Sequence, residues 1–201
     1  METLNITSAT KLLYESNLPV FTIKTLRDMF VTRLPDTLYV YLRKLIRMGI
    51  LVKLERGIYV LVHRTPDAFL IANVLHGPSY ISCESALNMH GILSQFPYEV
   101  TSVTTNKPIQ KTVQERLYSY GHIQPSLYWG YEKVRGALIA HPEKAILDQA
   151  YFAARGLRQF PLDEYEVSRI DKNRLASYMK RMPHTPPVQV ILDKIQKEVL
   201  L

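Results

Sequence analysis

The chain has 201 residues, room for one large domain or two small ones. Hydrophobic residues make up 47% and charged residues 21%, a globular mix that excludes a disordered chain. A net charge of +7 points to a polyanionic partner, and the single cysteine, Cys83, excludes an intramolecular disulfide or a cysteine-rich zinc cage.

No apolar run approaches the roughly 20 residues of a membrane helix. The opening Met1-Glu2-Thr3-Leu4-Asn5 lacks the basic and apolar regions of a secretory signal. The expected setting is therefore reducing and cytoplasmic, without membrane contact. Residues 1–64 hold ten basic against five acidic residues, and the rest fifteen against thirteen, so the positive excess sits in the first third.

In chain order, a first helix is expected over about Leu4 to Ser16, with Leu4, Leu12 and Leu13 facing the core, ended by Asn17-Leu18-Pro19. Thr22 reads as the cap of a second helix, Ile23 to Phe30, with Ile23, Leu26 and Phe30 at helical spacing. Leu34-Pro35-Asp36 breaks the chain, and Asp36 can cap a third helix running to Met48 before Gly49 stops it. Ile50–Leu54 and Ile58–Val62 read as strands joined by the turn Glu55-Arg56-Gly57. Pro66 biases Thr65 away from helix, so Arg64-Thr65-Pro66-Asp67 is the expected domain boundary.

Three helices and a hairpin within about 60 residues outline a winged helix-turn-helix. Stepping the third helix at 100° per residue puts Leu38, Tyr41, Leu42 and Leu45 on one side. Asp36, Val40, Arg43 and Arg47 fall opposite, with Tyr39 and Lys44 on the flanks. A helix lying in a DNA major groove needs this division, because its back must pack while its front reaches base edges and phosphates. Arg56 at the hairpin tip and Lys53 on its approach suit a wing gripping neighbouring phosphates. The alternative is a solvated basic face that binds nothing.

Beyond Pro66 the texture is mixed α and β. Helices are expected over Pro66–Leu75 and Ser82–His90, and a strand over Val100–Thr105. Gly121–Ile123 and Leu127–Trp129 suggest further extended segments. A helix opens at His141-Pro142-Glu143, with Ala145, Ile146, Ala150 and Tyr151 at core spacing. The proline-rich link Met182–Pro187 precedes a last amphipathic helix ending at Leu201. Its seam, Val188, Leu192, Ile195 and Val199, suits folding back onto its own domain better than a partner contact. The expected class is thus α+β. An N-terminal winged helix-turn-helix (1–64) is followed by a mixed α/β domain (65–182), then by the link and final helix (183–201).

Signatures of catalysis are missing. The chain has no phosphate-binding Gly-x-x-x-x-Gly-Lys loop, no His-Glu-x-x-His helix and no Gly-x-Ser-x-Gly elbow. No acidic residue is followed two positions later by lysine, and the six histidines lack a metal spacing. Cys83 and His90 share a helix face, and a helix N-terminus lowers a thiol pKa, but two turns separate them by about 10 Å, too far for direct proton transfer. Tyr118, Tyr120, Tyr128, Trp129 and Tyr131 could stack bases, yet their spacing is more typical of core and sheet surface. No catalytic residue, metal ligand or cofactor is expected.

The passage Leu42–Leu51, closing with Arg56-Gly57-Ile58-Tyr59, resembles the N-terminal domain of AbiEi-type antitoxins. Tyr80–Gly91 is similar to that family's central segment, and His141–Asp148 to its proline-started "PEKALLD" helix. The resemblance spans about Thr22 to Tyr151. It implies a transcriptional repressor from a type IV toxin–antitoxin system that acts on its own operon at inverted repeats. A C-terminal domain would counteract a nucleotidyltransferase-like toxin without a stable complex. The resemblance assigns operator contact to Tyr39, Arg43, Lys44 and Arg47 of the third helix and to Lys53 and Arg56 of the wing. Self-association on DNA is compatible with such repeats. The alternatives are a stand-alone regulator or a winged-helix protein adaptor without antitoxin activity.

Overall fold

The computed structural model describes residues 5–30, 35–64 and 66–200, with the side chains of 35 and 36 left outside the description. The expected positions Leu4, Leu34, Thr65 and Leu201, and the side chain of Asp36, lie outside the described residues. The chain is α+β and divides into two compact units, Met1–Leu75 and His76–Leu201.

In the first unit α1 (Ile6–Glu15) starts at Asn5, whose Oδ1 accepts a 2.8 Å hydrogen bond from the Ser8 amide. Ala9 and Leu13 form its buried stripe, whereas Leu12, expected in the core, points outward at 38% exposure. Leu12 lies 100° around the helix from Leu13, and the narrow stripe belongs to the four-residue step. Strand β1 (Phe21–Thr22) runs into α2 (Ile23–Phe30). Thr22 caps α2 through a 3.1 Å bond from the Thr25 amide.

Helix α3 (Pro35–Arg47) opens at Pro35, so Asp36 lies inside its first turn rather than ahead of it as a cap. Proline suits that first position because its missing N–H would be unpaired there anyway. Then come β2 (Leu51–Glu55) and β3 (Ile58–Leu61). The three strands form an antiparallel sheet in the order β1-β3-β2. Phe21, Leu26, Leu38, Leu42, Leu45 and Leu61 are buried in one cluster joining helices to sheet, each contributing about 1.5–3 kcal/mol through burial.

Helix α4 (Ala68–Leu75) begins where Asp67 Oδ1 accepts the Phe69 amide at 2.7 Å. It falls within the first unit, so the division lies at 75/76 and not at the expected 64/65.

The second unit is built on a six-stranded mixed sheet in the order β6-β7-β5-β4-β9-β8. These strands are β4 (Ser79–Ile81), β5 (Glu99–Thr104), β6 (Ile109–Val113), β7 (Arg116–His122), β8 (Tyr131–Val134) and β9 (Ala137–Ala140). Helices α5 (Cys83–Met89) and α6 (Pro142–Ala153) pack together, α5 also against β5. Reciprocal bonds fix α5, the Ser85 amide donating to Thr101 Oγ1 at 3.0 Å and the Thr101 amide to Ser85 Oγ at 2.9 Å.

Leu127-Tyr128-Trp129, expected to be extended, instead follows a 3-10 turn over Pro125–Leu127 closed by the Tyr128 amide on Pro125 O at 3.1 Å. Proline pre-sets the turn dihedral and overrides the aromatic preference for strands. After α7 (Lys172–Met179), α8 (Pro186–Ile195) packs on α6, and Val188, Leu192, Ile195 and Val199 are all buried. Residues 183–201 are therefore part of the second unit rather than a separate one. Among the described residues no helix is long and apolar enough to cross a membrane.

Candidate nucleic-acid interface

Helix α3 divides as its periodicity requires. Leu38, Leu42 and Leu45 are at most 2% exposed, and Tyr41 is half-buried. Tyr39, Val40, Arg43, Lys44 and Arg47 are exposed. The Arg43 Nε lies 3.4 Å from the Tyr39 carbonyl, a long contact one turn back that lays the stem along the helix and leaves the terminal guanidinium nitrogens available.

The helix ends in a Schellman motif. The Ile50 amide donates to Leu45 O at 2.9 Å and the Gly49 amide to Ile46 O at 3.0 Å. Gly49 takes the left-handed conformation this closure demands, φ +67°. The same turn delivers the chain into β2, so the direction of α3 and the start of the hairpin are set together.

The β2–β3 hairpin is short. Glu55 pairs with Ile58, leaving Arg56 and Gly57 as its tip, with a register shift between Lys53 and Glu55. Gly57 at φ +85° turns the chain, and its carbonyl accepts the Ile23 amide at 3.0 Å. The tip is thereby tied to the start of α2, and it presents Arg56 and Lys53 to solvent. Lys24 and Arg27 add two exposed cations on α2.

Other basic residues of this unit are engaged locally. Lys11 pairs with Glu15 at 3.7 Å, and Arg64 donates to Tyr14 O at 3.2 Å. Among the described residues Arg43, Lys44, Arg47, Lys53 and Arg56 form no ion pair with a carboxylate. Chemically, the face offers guanidinium and ammonium donors, one phenol and an aliphatic side chain, a set suited to phosphate oxygens, purine edges and thymine methyls.

Met48, just past α3, and Ile46 add apolar surface, at 59% and 38% exposure.

The residues weighed as a nucleophile and base are not joined. Cys83 is 1% exposed. Burial pushes its thiol pKa far above the ordinary range, overriding any lowering by the helix N-terminus. His90 is committed elsewhere, its Nε2 lying 2.8 Å from Ala140 O. Of the aromatic group, Tyr118 and Tyr120 are buried, while Tyr128 and Tyr131 pack edge-on at 5.2 Å.

One cluster escapes the sequence reading. Inside the second unit Lys144 and Asp148, one turn apart on α6, form a fully buried ion pair. Lys144 Nζ also donates to Tyr80 Oη at 2.9 Å, and the Tyr80 and Ser82 hydroxyls donate to Asp148 Oδ2 at 2.9 and 2.7 Å. Burial and the neighbouring carboxylate raise the Tyr80 phenol well above its ordinary pKa. The Trp129 ring lies 4.9 Å from Lys144 Nζ. Closed in by side chains, this network ties α6 to β4 and the Ser82 that follows it. Lys144 and Asp148 stand four apart on α6 with Ala145, Ile146 and Leu147 between them, so in sequence they pass for an ordinary solvated helix pair.

No family model and no curated protein matches this chain. Among solved structures, that of the Rv2827c protein from Mycobacterium tuberculosis is similar, with a TM-score of 0.58 over 96% of this chain and 78% of that one. The two are 17% identical, so the likeness is one of fold.

Proposed function

We infer that the chain is a sequence-specific DNA-binding repressor of the AbiEi antitoxin type, without catalytic activity. In this reading the first unit is a winged helix-turn-helix. Its element order supports that: helix, strand, helix, helix and two strands closing an antiparallel sheet, with α3 packed by one face only. The observation that carries the reading is the exposed side of α3, where Tyr39, Arg43, Lys44 and Arg47 meet no carboxylate partner among the described residues, beside a hairpin bearing Lys53 and Arg56.

Phosphate contacts from these cations supply most of the affinity and make it salt-dependent. Arg43 and Arg47 choose the sequence through purine edges, and Val40 fits a thymine methyl. The antitoxin role rests on the resemblance of Tyr80–Gly91 and His141–Asp148 to the family's segments. It assigns the second unit to opposing a nucleotidyltransferase-like toxin, with no lasting complex, while the first represses the shared operon at inverted repeats.

Fluorescence anisotropy on the chain's own upstream DNA, against a scrambled duplex and across a salt series, tests the DNA half. Preference for the native duplex, with log affinity falling steeply as salt rises, is the expected result. Equal, weak binding to both duplexes overturns it. A second reading, a winged-helix protein adaptor, is favoured by the apolar exposure of Val40, Ile46 and Met48 around the same cations. Salt-insensitive protein binding lost on replacing those three residues would select it.

A further inference from the structure

We propose that the loop Phe96-Pro97-Tyr98 is a docking site for a lysine- and arginine-rich segment of a partner protein. This goes beyond the DNA-binding reading and does not depend on it. Phe96 is 90% and Tyr98 92% exposed, far more than any other aromatic residue among those described. Two large apolar rings held almost wholly in water, two residues apart, are surface that burial against a partner would stabilise.

The base of the loop is held firmly. Asn88 on α5 donates through Nδ2 to Leu93 O and Gln95 O, both at 3.1 Å. The Glu166 amide donates to Ile92 O at 2.8 Å, and Gln95 Nε2 to Glu164 Oε2 at 3.1 Å. The rings therefore project from a pinned platform, which lowers the ordering cost of binding.

Charge selects the occupant. Residues at the loop's foot line a cleft of about 370 Å³ with three carboxylates, Asp163, Glu164 and Glu166, against one guanidinium, Arg169. In a chain of net charge +7 this is an acidic surface, and it repels nucleic acid. A segment carrying arginine and lysine satisfies both halves: its cations meet the carboxylates and stack on the faces of Phe96 and Tyr98.

The test uses the full chain and a short fluorescein-labelled peptide of alternating arginine and lysine, with a glutamate peptide as its counterpart. The basic peptide is expected to bind and the glutamate peptide not. Phe96→Ala with Tyr98→Ala should weaken binding at least about tenfold. Asp163→Asn with Glu166→Gln, leaving Glu164 to hold Gln95, should weaken it similarly and flatten its salt dependence. Circular dichroism melting should leave both surface variants at the parent Tm. Peptide affinity indifferent to the aromatic pair overturns the proposal. So does equal binding of the glutamate peptide. Concentration-dependent self-association that these variants abolish, without affinity for the basic peptide, overturns it in favour of a second copy of the chain.

Discussion

Replacing Asp148 by asparagine tests whether the buried network holds the second unit together. Asp148 accepts from Lys144, Tyr80 and Ser82, and the Lys144 side chain is 0% exposed. Asparagine has nearly the same shape but carries no charge, and its single amide oxygen cannot serve three donors. Lys144 is then left as an uncompensated buried cation. Breaking one side of a buried pair costs about 3–5 kcal/mol. The two hydroxyls also lose a charged acceptor, so the upper half of that range, about 4–5 kcal/mol, is expected.

Urea unfolding followed by the emission of Trp129, the only tryptophan, reads this unit directly. With a slope of about 2 kcal/mol per molar urea, the midpoint should fall by roughly 2 M. Lys144→Met combined with Asp148→Asn should recover a large part of the loss, giving a coupling energy above about 1 kcal/mol. A midpoint shift below about 0.5 M for Asp148→Asn alone would refute the argument that this cation is sealed from water.

Arg43→Ala and Arg47→Ala should each cost about 1–3 kcal/mol on the native duplex and little on a scrambled one, whereas Lys53→Ala and Arg56→Ala should weaken both duplexes alike and lower the salt slope by about one each. Anisotropy titrations separate the two patterns, and intact operator binding in both arginine variants would sink the placement of α3. Gly49→Ala meets open space, so its cost is that of a left-handed alanine alone, about 1–2 kcal/mol, read by thermal melting. Cys83, buried and with its thiol pKa raised, should resist iodoacetamide at mildly alkaline pH until the chain is unfolded by denaturant. Labelling of the native protein at the rate of a free thiol would contradict that burial.

Local chemistry alone determined much of the first unit. Thr22, Gly49 and Gly57 act where they stand, because a cap or a left-handed turn depends on a few neighbouring atoms. The inward set of α3 followed from its period, since Leu38, Leu42 and Leu45 can share a face in only one way. The proline at the start of α6 marked that helix for the same reason.

Elsewhere the local signals are silent or misleading. The β6–β7 turn is formed by Gln114 and Glu115, both at positive φ, without the asparagine or glycine that announces such a hairpin. The outward aim of Leu12, the extension of the first unit through α4 and the enclosure of Lys144 with Asp148 all depend on what packs alongside. A charged pair one turn apart on a helix looks the same in sequence whether it meets water or a wall of aromatic rings. Only the sheet beneath α6 and the rings of Tyr80 and Trp129 beside it decide that this pair is sealed, because desolvation is a property of the surroundings and not of the residue.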